Sequence, residues 1–140
     1  MMQKILLDTN IYLDFYLDRK DNLKPLGEFA FRLIKETVSC KYMVLITDYH
    51  FIEIKNSLNC NIKDIWKRIL DSLNKSKKIK EIIPTDREVT EAKEISRLKN
   101  LPFGDCLFAV VAKNNNAKLV TRDRHFNELD IQTYLPEDLI

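Results

Sequence analysis

The sequence predicts one α/β domain, a three-layer α/β/α arrangement in which helices cover both faces of a central, mostly parallel sheet. Three observations lead there. Short runs that are apolar throughout alternate with longer segments whose apolar residues recur at helical spacing, as expected of strands buried on both sides. The 140 residues include only 2 glycines and 4 prolines, too few for the many tight turns of a β-sandwich or barrel. Apolar residues make up 45% and charged residues 31%, which excludes disorder and low-complexity coiled coil. No internal repeat or linker divides the chain, so residues 1–140 read as a single domain.

The elements follow in order. Residues 4–7 (KILL) form a buried strand that ends at Asp8; residues 10–17 open a helix, and 18–25 are a charged connection. Leu26, Phe29, Ala30, Leu33, Ile34 and Val38 recur at i, i+3, i+4, an amphipathic helix. Residues 43–46 (MVLI) are the second strand. Thr47 or Asp48 can cap the helix that carries Tyr49, Phe51, Ile52, Ile54 and Leu58. Ile62, Ile65, Trp66, Ile69, Leu70 and Leu73 give the cleanest helical stripe, and residues 75–80 (KSKKIK) a basic connector into a strand at 81–83. Pro84, Thr85 and Asp86 stop that strand and start a helix with Val89, Ala92, Ile95 and Leu98 on one face. Residues 103–113 are apolar nearly all round, which requires burial on several sides. Residues 118–121 (KLVT) and 131–134 complete five strands.

Cys40, Cys60 and Cys106 are odd in number and contain no CxxC, so a disulfide framework or a four-cysteine zinc site is excluded. No window reaches the ~20 apolar residues of a membrane span, and the N-terminus lacks the pattern of a secretory signal. The expectation is a soluble, cytoplasmic protein. A net charge of +2 excludes a polycation held to nucleic acid by bulk electrostatics. It leaves open a basic surface beside an acidic site.

Four acids occupy informative positions. In open α/β sheets the active crevice lies outside the carboxyl ends of the strands. Asp8 directly follows the first strand, and Asp123 lies just after the fourth. Glu53 lies in the helix after the second strand, inside the apolar stretch FIEI, and Asp105 heads the apolar helix after Pro102-Phe103-Gly104. Any one of them can be explained as a cap or a helix-dipole partner. Together, converging on one crevice, they would repel unless a cation offsets them. Oxygen donors without a cysteine or histidine cluster favour a hard ion, Mg²⁺ or Mn²⁺, and such a site suits phosphodiester hydrolysis.

The chain resembles the PIN domain, a small α/β nuclease domain found in many prokaryotic toxins of the VapC type and in RNA-processing factors. The resemblance is carried by LLDTNIYLD near the start, Glu53 in the helix after strand two, and GDCLFAVVAKNNNAKLVTRDRHF near the end. It implies a metal-dependent ribonuclease with a sheet of about five strands. For toxin members it also implies homodimerisation and neutralisation by a small antitoxin protein. Asp8, Glu53, Asp105 and Asp123 are then the catalytic, metal-binding acids; Thr9 lies in the motif, Asn10 braces Asp8, and Thr121 orients the metal shell. The chain departs from the family in two places. Arg124 and His125 stand where many relatives carry a further acid, which leaves one strong ion site and a second, weaker one open. Gly104 stands where a small apolar residue such as Ala is common.

Arg122 and Arg124 flank Asp123 and are candidates for contact with RNA phosphates. His50 reads as a surface or supporting histidine, Tyr12, Tyr16 and Tyr49 as core or base-stacking rings, Trp66 as core, and Asp14 and Asp48 as capping or surface acids. Two other readings compete with the toxin ribonuclease: a catalytically inactive PIN-like binding or scaffold module, and an RNA-processing nuclease outside any toxin–antitoxin pair. A phosphatase with Asp8 as nucleophile is disfavoured, because Asn10 replaces the second Asp such enzymes need.

Overall fold

The first strand shows how the sheet is built. Ile5, Leu6 and Leu7 are all fully buried, yet Ile5 and Leu7 join one apolar core while Leu6 joins another. Successive strand residues point to opposite faces, so a strand apolar throughout must have cover on both. In the computed structural model, which describes residues 2–38, 41–58 and 78–140, that cover is two layers of helix. Strands β1 (Gln3–Leu7), β2 (Tyr42–Thr47), β3 (Ile79–Ile82), β4 (Lys118–Val120) and β5 (Thr133–Tyr134) form one sheet in the order β3-β2-β1-β4-β5. Every pairing is parallel.

Helices α1 (Thr9–Leu17), α2 (Leu26–Val38) and α3 (Asp48–Leu58) contribute to the core on the face of Ile5, Val44, Ile46 and Val120. Helices α4 (Asp86–Lys99) and α5 (Phe103–Asn114) cover the face of Leu6, Leu45 and Leu119. The α5 helix is buried from Cys106 to Ala112, as its unbroken apolar run requires. Full burial of each such aliphatic or aromatic side chain is worth about 1.5–3 kcal/mol, so the two cores account for the stability of the sheet. The α4 start is fixed by a capping box. The Thr85 side chain accepts from the Glu88 backbone N–H, and the Glu88 carboxylate accepts from the Thr85 N–H.

The elements match the sequence reading closely, with three differences. The third strand runs Ile79–Ile82, not 81–83. It is an edge strand whose position is set by pairing Val44 with Ile79 and Thr47 with Ile82, which draws Ile79 and Lys80 out of the basic connector. Ile83 is left outside it and exposed. The last strand shrinks to Thr133–Tyr134, and short 3₁₀ turns flank it at Arg124–Glu128 and Pro136–Asp138. Leu98, read as part of the inner face of α4, is 66% exposed. The expected helical stripe over 62–73 with Trp66, and Cys40, Cys60, Lys75 and Lys77, lie outside the described residues. Among the described residues, no helix is long and apolar enough to cross a membrane.

Candidate active site

The parallel order places the carboxyl ends of β1, β2 and β4 at one edge, with β1 central. Asp8 leaves β1 there, its backbone N–H still donating to Val120 O of β4 at 2.9 Å. The residue stands at the N-cap of α1, but its side chain makes no capping hydrogen bond. The simplest structural explanation for this acid therefore does not apply. Its Oδ2 instead accepts from the Thr121 hydroxyl at 3.0 Å, and the same hydroxyl oxygen accepts from the Asp123 backbone N–H at 3.0 Å. One threonine thus ties together the acids at the ends of β1 and β4.

Glu53 is brought in from α3 by Thr9, whose hydroxyl donates to Glu53 Oε1 at 2.6 Å. Gly104 makes room for it. A Cβ at position 104 would lie 2.7 Å from Glu53 Oε2 and 2.7 Å from Tyr49 Cε1. The glycine where Ala is common thus has a steric reason in this chain. Asp105, in the first turn of α5, has a buried Oδ2 with no hydrogen-bond partner. Asp123 is the one acid of the four with a local structural duty, since its Oδ1 accepts from the His125 N–H at 2.9 Å and starts the 3₁₀ turn.

Asp8 and Asp105 feel both their burial and the other acids. Asp8 is only 3% exposed. Burial raises its pKa from 3.8 to about 7, with the Thr121 hydrogen bond opposing the rise and the charges of Asp105, Glu53 and Asp123 adding to it. Burial, then the Asp123 charge, pushes Asp105 to about 6, against the pull of His125, with Glu53 adding to the rise. Burial also raises Glu53, against the Thr9 hydrogen bond. Among the described residues, the one basic side chain paired with any of the four is His125. Its Nδ1 lies 3.4 Å from Asp105 Oδ2 and 3.3 Å from Asp123 Oδ1.

A divalent cation fits this arrangement. Ligand atoms of Asp105, Asp123 and His125 all lie within 4.8 Å of one another, Asp105 Oδ2 lacks a partner, and the donors are mainly carboxylate oxygens, which suit hard ions. Cys106, although next to Asp105, is fully buried among α5 side chains and belongs to the core.

Comparison with known proteins bears on what this arrangement is. The family model of the PIN domain matches residues 5–132, nearly the whole chain. The chain belongs to the PIN domain family. Solved structures agree on the fold of this PIN domain. VapBC2 from Rickettsia felis, bound to a DNA fragment from its promoter, aligns with a TM-score of 0.63 at 16% identity, over 95% of this chain and 98% of that one. VapBC-1 from nontypeable Haemophilus influenzae gives 0.63 at 19%, over 96% and 99%. FitAcB from Neisseria gonorrhoeae gives 0.61 at 18%, over 96% and 99%. Among curated protein sequences none matches.

Several neighbouring residues differ from their sequence reading. Arg122, a candidate for phosphate contact, is instead engaged by Glu137 through two hydrogen bonds of 3.0 and 2.6 Å, and its Nε lies 3.7 Å from Asp14. The sequence could not pair residues that meet only when the C-terminal segment folds back. Arg124 is exposed beside Asp123. Asn10 is exposed in the first turn of α1, and the brace on Asp8 comes from Thr121 rather than from it. Asp14 is a buried ion-pair partner of Arg19 and Arg122, not a surface acid. Tyr12 is fully buried, which removes it as a base-stacking ring, while Tyr49 packs edge-on to Phe103 and Phe108 beside the site.

His50 is neither a surface residue nor a ligand. It is fully buried and stacked on Phe108 at 4.0 Å. The Thr47 N–H donates to its Nδ1 at 3.0 Å, so Nε2 carries the proton and donates to Leu7 O at 2.7 Å. Burial holds its pKa down to about 4 despite those bonds, so the ring is neutral. The histidine ties the end of β2 to the carbonyl that immediately precedes Asp8. Its i+3 spacing from Thr47 was the only signal for this role in the sequence.

Proposed function

We propose that this PIN domain is a metal-dependent endoribonuclease, the toxin of a type II toxin–antitoxin pair acting in the cytoplasm, with Asp8, Glu53, Asp105 and Asp123 as its catalytic acids. The observation that carries the reading is the convergence of these four carboxylates at one sheet edge, where Asp8 is held at a pKa of about 7 and Asp105 Oδ2 is buried without a partner. A cluster built so is unfavourable as it stands and becomes favourable around a cation. Mg²⁺ or Mn²⁺ bound there supplies an activated water and neutralises charge on the attacking and leaving oxygens of a phosphodiester.

The chain's own residues do the positioning. Thr121 fixes Asp8 and the backbone of Asp123, Thr9 fixes Glu53, and Gly104 leaves the space Glu53 occupies. With Arg122 committed to Glu137, the exposed Arg124 is the side chain suited to a flanking phosphate. Once the four acids are set aside, basic residues clearly outnumber the remaining acidic ones, which suits a polyanionic substrate. The VapBC complexes that share this fold favour a toxin role with a small antitoxin protein as partner, and we propose that the chain acts as a homodimer.

The test is digestion of total RNA, and of single-stranded DNA as a control, with Mg²⁺ or Mn²⁺ present and with chelator. Cleavage of RNA that needs the ion and disappears in Asp8→Asn is the expected result. Equal degradation by wild type and Asp8→Asn would remove hydrolysis from this site.

A further inference from the structure

We propose that His125 is a nitrogen ligand of the bound cation, and that it biases this PIN site toward Mn²⁺ and other later first-row ions over Mg²⁺. The inference rests on the metal-dependent reading above and concerns what this chain adds to it.

The ring is placed, not merely nearby. Asp123 Oδ1 accepts from the His125 backbone N–H at 2.9 Å, and the next residue, Phe126, is fully buried. The backbone is therefore anchored on both sides of His125. Although its side chain is 55% exposed, the imidazole turns Nδ1 inward, 3.4 Å from Asp105 Oδ2 and 3.3 Å from Asp123 Oδ1. Adjacent ligands on an octahedral ion with bonds near 2.1 Å stand about 3 Å apart. The imidazole nitrogen lies close to that spacing from each carboxylate oxygen, and ligand atoms of the three residues all lie within 4.8 Å of one another. Asp105 Oδ2 is buried and lacks a hydrogen bond even with the imidazole beside it. That is the condition of an atom reserved for a third party.

An imidazole nitrogen is a borderline donor. It contributes little to Mg²⁺, which prefers oxygen and its own waters, and more to Mn²⁺, Co²⁺ or Zn²⁺. An acid at this position would add a fifth carboxylate and favour the harder ion. As a ligand, an imidazole nitrogen adds a donor without adding a fifth negative charge to the site.

The test uses tag-free protein with Mn²⁺ and Mg²⁺ as the probes. Pulsed electron paramagnetic resonance of the Mn²⁺ complex should detect imidazole nitrogen bonded to the ion. The chain has only two histidines, and both ring nitrogens of His50 are already hydrogen-bonded in the core, so the signal is assignable to His125. His125→Ala should abolish the signal and weaken Mn²⁺ binding by calorimetry at least roughly tenfold, the loss that even outer partners of ligands bring. Its Mg²⁺ affinity should hardly change. His125→Asp should swing the preference back toward Mg²⁺. Tight Mn²⁺ binding with no nitrogen coupling, or an unchanged Mn²⁺ affinity in His125→Ala, overturns the ligand role and leaves the metal site standing. No Mn²⁺ binding by the wild-type protein overturns both.

Discussion

Two groups of buried charge lie close together in this PIN domain, and they are built on opposite plans. In one, Asp14 and Glu137 meet Arg19, Lys24 and Arg122. Partial burial tends to raise Glu137, but hydrogen bonds from Arg122 and Lys24 outweigh it and bring the carboxyl down to about 2. In the other, six residues along the chain from Asp14, Asp8 rises to about 7, first through burial and then through the charges of Asp105, Glu53 and Asp123. Matched charges fasten the C-terminal segment to the connection before α2. Unmatched acids at the sheet edge leave a charge that, on the proposed reading, a bound cation would offset. Burial and partners together set each carboxyl: Asp14, as buried as Asp8, is also raised by burial although Arg19 and Arg122 oppose the rise, while the less buried Glu137 is brought down.

The contrast can be broken by substitution. Asp8→Asn is expected to reduce RNA cleavage roughly a thousandfold, the loss of several kcal/mol of metal-linked stabilisation of the reaction. In chelator the same change should raise the unfolding midpoint at pH 8, because it removes a charge that is buried and also repelled by neighbouring acids. His50→Leu should cost about 2–4 kcal/mol in urea denaturation, since Leu7 O and the Thr47 N–H lose their partner inside the core. Glu137→Gln should act opposite to Asp8→Asn, destabilising by about 1–3 kcal/mol while leaving the acid site intact. A Glu137→Gln protein as stable as wild type would show that the clamp is decorative.

The pH dependence sharpens the same point. Asp8 has a raised pKa in the folded protein, so its contribution to stability is full at low pH and is lost as pH rises through about 7. His50, held down to about 4, contributes above its ordinary value of 6.5 and loses that contribution as pH falls through 4. Between about pH 8.5 and 6.5 the acid cluster therefore governs, and metal-free protein should gain thermal stability as pH is lowered across that window. A flat profile there would mean that Asp8 is not held above its ordinary pKa in solution. The smallest effect belongs to Gly104→Ala. The added methyl meets both the Glu53 carboxylate and the Tyr49 ring, so Mn²⁺ affinity should fall by a few-fold with a stability cost of about 1 kcal/mol.

Much of this was legible in the sequence because it depends on local pattern. Apolar runs such as KILL and MVLI report strands buried on two faces, and an acid directly after such a run reports the reactive edge. Asp8 and Asp123 are found that way, and Glu53 by its place inside FIEI. What could not be read depends on residues distant in the chain. The Arg122–Glu137 pair is made by a C-terminal turn, the start of β3 by its register with β2, and the His50 bond to Leu7 by the β1–β2 pairing. The family resemblance assigns the bracing of Asp8 to Asn10, its near neighbour in sequence. Thr121, 113 residues away, holds that place in the fold.

The central claim is that the acid cluster is a cation site. Thermal unfolding at pH 8, with Mn²⁺ in excess and with chelator, tests it most directly. The account predicts a higher midpoint with Mn²⁺ in the wild-type protein and little or no shift in Asp8→Asn. Identical midpoints for the wild-type protein with and without the ion would contradict it.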